Sequence, residues 1–203
     1  MDKRFKYIVY TDLFRTTGNA SKKVFIMRML KNGYDPGFKY IMYMRYCNYL
    51  LNKKKNICEK VIFKLVSRKF RKYQYLYGIE IPYSTDIKEG FMINHFGGIV
   101  VHGNAKIGKN CTMLQGVTIG NNIYKSRNDV AVIGDNVTIS SGAKIIGNIK
   151  IGNNVTIGAN AVVTKDIPDG AIVVGSPAKV ISYKEPIVLN TNYMNYEEWC
   201  NIN

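Results

Sequence analysis

Ile133-Gly134-Asp135-Asn136-Val137-Thr138-Ile139-Ser140-Ser141-Gly142-Ala143-Lys144-Ile145 carries a repeat of six residues. The series continues without a break through Ile151, Ile157 and Val163. Four residues after each of these positions stands a second aliphatic: Val137, Ala143, Ile149, Val155, Ala161 and Ile167. Upstream, Val101, Ile107, Met113 and Ile119 keep the same step, accompanied by Ala105, Cys111 and Val117. Ile119 and Ile133 are fourteen residues apart where one repeat takes six, so eight extra residues are expected to loop out, around 121–130.

A period of six excludes an α-helix, whose apolar face recurs every 3.6 residues. It also departs from the alternation of a long half-buried strand. It fits a short strand followed by a turn, repeated. The turns need residues that tolerate left-handed backbone angles, and Gly108-Lys109-Asn110, Gly134-Asp135-Asn136 and Gly152-Asn153-Asn154 supply them. Stacking such units buries a column of branched aliphatics along each face. An ordinary sheet with Asn- and Gly-rich turns is the competing reading, and so many positions in phase count against it.

The first third of the chain is of another kind. The 203 residues carry a formal charge of +15, and residues 1–77 hold all of the excess, with 19 Lys and Arg against 4 Asp and Glu. Apolar and aromatic residues recur there at loosely helical spacing, which predicts helices over about 20–32, 37–51 and 56–75. Breaks fall at Gly33, at Asp35-Pro36-Gly37 and at Asn52-Lys53-Lys54-Lys55-Asn56. The expected organisation is therefore a basic α-helical module over 1–77, a β domain over 78–182 and a tail over 183–203, in which 190–203 is polar and aromatic. The basic module leaves several readings open. It is a solvated cap that closes the repeat domain, or a face for an anionic membrane surface or another polyanion. No nucleic-acid motif is present, and no nucleic-acid partner is expected. Cys47, Cys58, Cys111 and Cys200 have no CxxC spacing and only two histidines exist, so neither a zinc site nor a disulfide framework is expected. The N-terminus lacks a signal-peptide pattern and the apolar window from Tyr40 to Leu51 is too short to span a bilayer. The expected location is cytoplasmic, in a reducing environment, with the inner membrane face as a variant of it.

The repeat resembles that of the hexapeptide-repeat acyltransferases. The resemblance implies three hexapeptides per coil, a left-handed parallel β-helix, and a homotrimer with sites between subunits. Gly78-Ile79-Glu80-Ile81-Pro82 and Phe91-Met92-Ile93-Asn94-His95-Phe96-Gly97-Gly98 look like the start of the serine acetyltransferase β-helix. The likeness continues through Met113 to Gly120 and Gly142 to Ile149, and closes in Val173-Val174-Gly175-Ser176-Pro177-Ala178-Lys179-Val180. It implies acetyl-CoA as co-substrate, His95 as catalytic base and Glu80 as the carboxylate that orients it. Fifteen residues is close to one coil, which would bring the two together. A neutral imidazole can take a proton from an attacking hydroxyl, and a carboxylate on its other nitrogen fixes the tautomer. An oxyanion donor is expected near Gly97 and Gly98 or on a neighbouring coil. By the same resemblance Gly120, Ser141, Ala159, Lys165 and Lys179 line or flank the acetyl-CoA groove, and no metal is implied. His102 has no counterpart in the pattern.

The acceptor is read from departures. The Asp that precedes the catalytic His in serine acetyltransferases is Asn94 here, and their Arg-His-Pro segment is replaced by Lys125-Ser126-Arg127-Asn128-Asp129-Val130-Ala131. The basic N-terminal helices are also unlike theirs. The chain is similar in those respects to sugar O-acetyltransferases of surface-polysaccharide clusters, which share a Glu at the position of Glu80. The expectation is thus a saccharide acceptor, from capsular or exopolysaccharide or its precursor, contacted by Asn94, Arg127 and Asn128. The alternative is serine O-acetylation for cysteine biosynthesis.

Overall fold

The computed structural model describes residues 2–30, 35–53, 56–183 and 194–202. Gly33, Lys54 and Lys55, singled out above, lie outside the described residues, as does much of the C-terminal tail. Helix α1 (Lys3–Thr17) begins where the Asp2 side chain accepts the Phe5 N–H, and ends at Gly18 in the left-handed region. Next come α2 (Lys22–Leu30) and α3 (Pro36–Leu51), the latter with Asp35 as its cap and Pro36 at its first position. Helix α4 (Ile57–Tyr77) opens on a reciprocal capping box between Asn56 and Glu59 and closes on Gly78 at φ 59°.

Helix α1 was not expected from the sequence. Its buried face includes Asp12 and Arg15, which interrupt the apolar period. Asp12 accepts from Arg45 Nε at 2.9 Å and from the Phe91 N–H at 2.9 Å. Arg15 donates to the Gly90 and Asn110 carbonyls and to Thr112 Oγ1. These polar groups join helix to prism, so the residues that look solvent-facing in the sequence form the joint.

From Gly78 onward the chain winds into a three-sided parallel β-helix, the mainly β class expected from the repeat. One sheet stacks β1 (Ile79–Glu80), β4 (Ile99–Val101), β7 (Thr118–Gly120), β10 (Lys144–Ile146) and β13 (Val162–Val163). A second stacks β2 (Asp86–Ile87), β5 (Lys106–Ile107), β8 (Val132–Ile133) and β11 (Lys150–Ile151). The third stacks β3 (Met92–Ile93), β6 (Thr112–Met113), β9 (Thr138–Ile139), β12 (Thr156–Ile157) and β14 (Ile172–Val174), and ends in an antiparallel strand, β15 (Lys179–Ser182). Ile133, Ile139, Ile145, Ile151, Ile157 and Val163 all point into the dry interior. At one corner Asn110, Asn136 and Asn154, each at φ between 55° and 58°, pass a hydrogen bond from one amide to the next at 3.1 Å. Asparagine tolerates that left-handed angle, and the side chains satisfy one another.

Coil lengths depart from eighteen in informative places. Val100 pairs with Thr118 and Lys144 with Val162, each eighteen residues on. Thr118 pairs with Lys144, twenty-six residues on, because residues 121–130 loop out as expected. The first coil takes twenty residues: Glu80 pairs with Val100 and Met92 with Thr112. Its two extra residues fall between β3 and β4, within Asn94–Gly98, the corner that carries His95.

Candidate active site

His95 stands exposed on that enlarged corner, followed by Gly97 at φ 105° and Gly98 at φ 65°. Both glycines hold angles that a side chain disfavours. The corner is anchored on each side of the histidine. The Asn94 N–H donates to the Met113 carbonyl at 3.1 Å, and the Gly97 carbonyl accepts the Gly116 N–H at 2.8 Å. Beneath it Gly78 leaves little room, since a Cβ there would come within 3.3 Å of the Gly98 nitrogen. The Phe96 ring leans on Tyr77 at 5.5 Å, Tyr77 stacks on Tyr73 at 5.2 Å, and Tyr73 meets Tyr43 at 5.1 Å. An aromatic series thus runs from α3 through α4 to the residue next to His95.

Glu80 lies on the outward face of β1, in a cleft of about 450 Å³ also lined by Gln74, Tyr75, Gly78 and Val100. The first coil takes twenty residues, so the interval of fifteen falls short of a full turn. Glu80 is level with Val100, and His95 lies on the corner before that strand. Both belong to the same end of this sheet, but among the described residues no hydrogen bond joins them. Tyr40, not singled out in the sequence, fixes the strand just past Glu80. Its hydroxyl donates to the Ile81 carbonyl at 2.8 Å and accepts the Ile81 N–H at 3.0 Å. Burial pushes that hydroxyl's pKa above its ordinary value.

The remaining candidates divide between the two edges of the sheet that holds Glu80. Ser141 and Ala159 occupy, coil by coil, the corner that His95 heads: the Gly142 N–H donates to the Gln115 carbonyl and the Asn160 N–H to the Ser141 carbonyl. Ser141 Oγ also donates to Gln115 Oε1 at 3.1 Å. Gln115 therefore belongs to this line, and its place in the repeat was the available signal. Lys179 reaches the far end of the same line, because its register partner Val174 packs against Gly158. Gly120 and Lys165 lie at the opposite edge, where the Gly147 N–H donates to the Gly120 carbonyl. Arg127 and Asn128 sit in the exposed loop on that edge, and Asn128 Oδ1 accepts from Asn104 at 3.4 Å. His102 is beside them, its Nδ1 accepting the Asn104 N–H. Within one chain, then, Asn94, His95, Ser141, Ala159 and Lys179 share an edge, while Gly120, Arg127, Asn128 and Lys165 belong to the other. Among the described residues no cluster of three or more His, Cys, Asp or Glu could hold a metal ion.

Residues 131–165 match the family model described as bacterial transferase hexapeptide (six repeats). The serine acetyltransferase of Staphylococcus aureus strain Mu50 is 40% identical over 132 residues, which span 65% of this chain and 59% of that protein. The serine acetyltransferase of Synechococcus elongatus is 36% identical over 146 residues, spanning 72% of this chain and 57% of the other. The chain thus spans somewhat more than half the length of the curated relatives it matches. Among solved structures, serine acetyltransferase of Neisseria gonorrhoeae in complex with serine superposes with a TM-score of 0.69 at 30% identity, covering 89% of this chain and 70% of that one. Serine acetyltransferase of Brucella abortus in complex with coenzyme A gives a TM-score of 0.71 at 24% identity, over 91% and 70% of the two chains, a likeness of fold. These matches overturn the expectation of a polysaccharide acceptor: the relatives are serine acetyltransferases, and Asn94 and 125–131 are local departures within a likeness that runs the length of the prism. The chain belongs to the serine acetyltransferase family of hexapeptide-repeat transferases.

Proposed function

We propose that this protein is an acetyl-CoA-dependent O-acetyltransferase whose acceptor is the hydroxyl of serine. The observation that carries the reading is His95, exposed on a corner enlarged by two residues, at the head of the edge formed by Gln115, Ser141 and Ala159. An extended co-substrate laid along that edge brings its thioester to the histidine. His95 takes the serine hydroxyl proton as the oxygen attacks the thioester carbonyl, and gives it to the thiolate that leaves as the C–S bond breaks, so protons balance over the cycle. Glu80 is the carboxylate at the same end of the sheet that orients the imidazole and stabilises its charged form. Asn94 is the substrate contact beside the base.

A homotrimer completes the site in this reading. The outward face between the two edges, exposed at Glu80 and Val100 and half-buried at Val162, then meets a neighbouring copy. The neighbour's Arg127–Asn128 loop and Lys165 edge would close the groove that one chain leaves open. The test is thiol release from acetyl-CoA with L-serine, for wild type and for His95→Ala and Glu80→Gln. Loss of the base should lower kcat by about 10²–10⁴-fold. Turnover by His95→Ala at the wild-type rate would remove the mechanism. No serine-dependent release by folded wild-type protein would remove the acceptor.

A further inference from the structure

The helical module carries apolar surface that its own fold leaves uncovered. Helix α4 packs inward through Phe63, Val66, Phe70, Tyr73 and Tyr77. On its opposite side, at steps of three and four, run Ile57, Val61, Leu65, Arg68, Lys72 and Leu76, all exposed. Ile57 is 79% exposed and Leu65 60%. Lys60, Lys64 and Arg71, also exposed, flank that stripe. Helix α2 has no buried residue at all. Its Phe25 and Met29 face an apolar cleft of about 340 Å³ shared with Met42 and with Val66 of α4, while Ile26, Met27 and Leu30 face outward, Leu30 at 75% exposure. Helix α2 also carries Lys22, Lys23 and Arg28.

We propose that the outer side of α4 docks on the surface of an anionic lipid bilayer. Charge decides the occupant. All of the +15 excess belongs to residues 1–77, with 19 basic against 4 acidic residues, so a second copy would set like charge against like. Anionic headgroups complement it, and long basic side chains can keep their charged ends at the headgroups while their stems and the neighbouring Ile, Val and Leu enter the acyl boundary. No described helix is long and apolar enough to cross a membrane, so the contact is interfacial. It does not depend on the catalytic reading. Since α4 runs directly into β1 through Gly78, docking would hold the His95 end of the prism beside the lipid.

The test is co-sedimentation of the full chain with vesicles of phosphatidylcholine alone and of phosphatidylcholine with phosphatidylglycerol. Binding is expected only to the anionic vesicles and should weaken as salt rises. Each cation removed should weaken it about fivefold, so Lys64→Gln with Arg68→Gln lowers the partition coefficient roughly 25-fold. Val61→Ser with Leu65→Ser should also weaken it and, at exposed positions, leave the circular dichroism and Tm unchanged. No binding to anionic vesicles overturns the proposal. So does binding lost in the charge variant but kept in the serine variant, which assigns the face to a soluble polyanion. A fall in particle mass of the serine variant without vesicles, by light scattering, assigns it instead to a second copy.

Discussion

Replacing Asp12 by alanine should be among the most damaging single changes outside the inner columns, although the position looks like a surface aspartate in the sequence. The side chain is wholly buried and accepts three hydrogen bonds: Arg45 Nε at 2.9 Å, Arg45 Nη2 at 3.4 Å and the Phe91 N–H at 2.9 Å. Arg45 is itself buried and donates onward to the Ile87 and Lys88 carbonyls. Asp12→Ala therefore leaves a guanidinium without its counter-charge and a backbone N–H without an acceptor. Breaking one side of a buried pair costs about 3–5 kcal/mol. With a urea dependence of about 2 kcal/mol per molar, the unfolding midpoint should fall by roughly 1.5–2.5 M. The double change Asp12→Ala with Arg45→Met removes the orphaned charge as well. It should regain about 2 kcal/mol relative to the single change, because a buried pair replaced as a whole is nearly neutral. Recovery stops short of wild type, since the Ile87 and Lys88 carbonyls lose their donor. A midpoint lowered by less than about 0.5 M, or single losses that simply add in the double variant, would refute the reading of Asp12 as the joint.

Two further outcomes follow from burial. Tyr40→Phe strips the buried Ile81 N–H and C=O of their shared partner, at about 1–3 kcal/mol for each group left unpaired, and should lower Tm by roughly 4–24 °C. Wild-type Tm in this variant would mean that Tyr40 does not anchor the end of β1. Burial pushes the Cys47 and Cys111 thiols up to about 12, whereas Cys58 is exposed. A thiol reagent at mildly alkaline pH should thus modify Cys58 promptly and reach Cys47 and Cys111 only at the rate of unfolding, which peptide mapping of the labelled protein can show.

The candidate site was legible in part. His95 and Glu80 could be named because each stands in a recognisable segment, and Ser141 and Ala159 because the resemblance implies a groove along those positions of the repeat. Tyr40 and the Tyr43–Tyr73–Tyr77–Phe96 series were not legible, since contacts between a helix and a distant corner leave no period in the chain. The acceptor is not legible locally either. Asn94 and the loop over 125–131 are single local departures, whereas the likeness to the serine acetyltransferases is distributed over the whole prism.

The hexapeptide period by itself determined that short strands stack around an apolar interior, because every sixth residue needs the same dry environment and the turns between them need Gly or Asn. It also placed the looped-out segment, since an insertion shows as a break in phase. The charge count alone marked the first 77 residues as different in surroundings. Only the tertiary structure decided that α1 forms and that Asp12 and Arg15 lie inside the joint, since a polar residue is stable there only once its partners from other elements arrive. It alone showed that the first coil takes twenty residues, so that His95 bulges from its corner at the same end of the sheet as Glu80. Register depends on which strands hydrogen-bond across the coils, and spacing along one strand of sequence does not fix that.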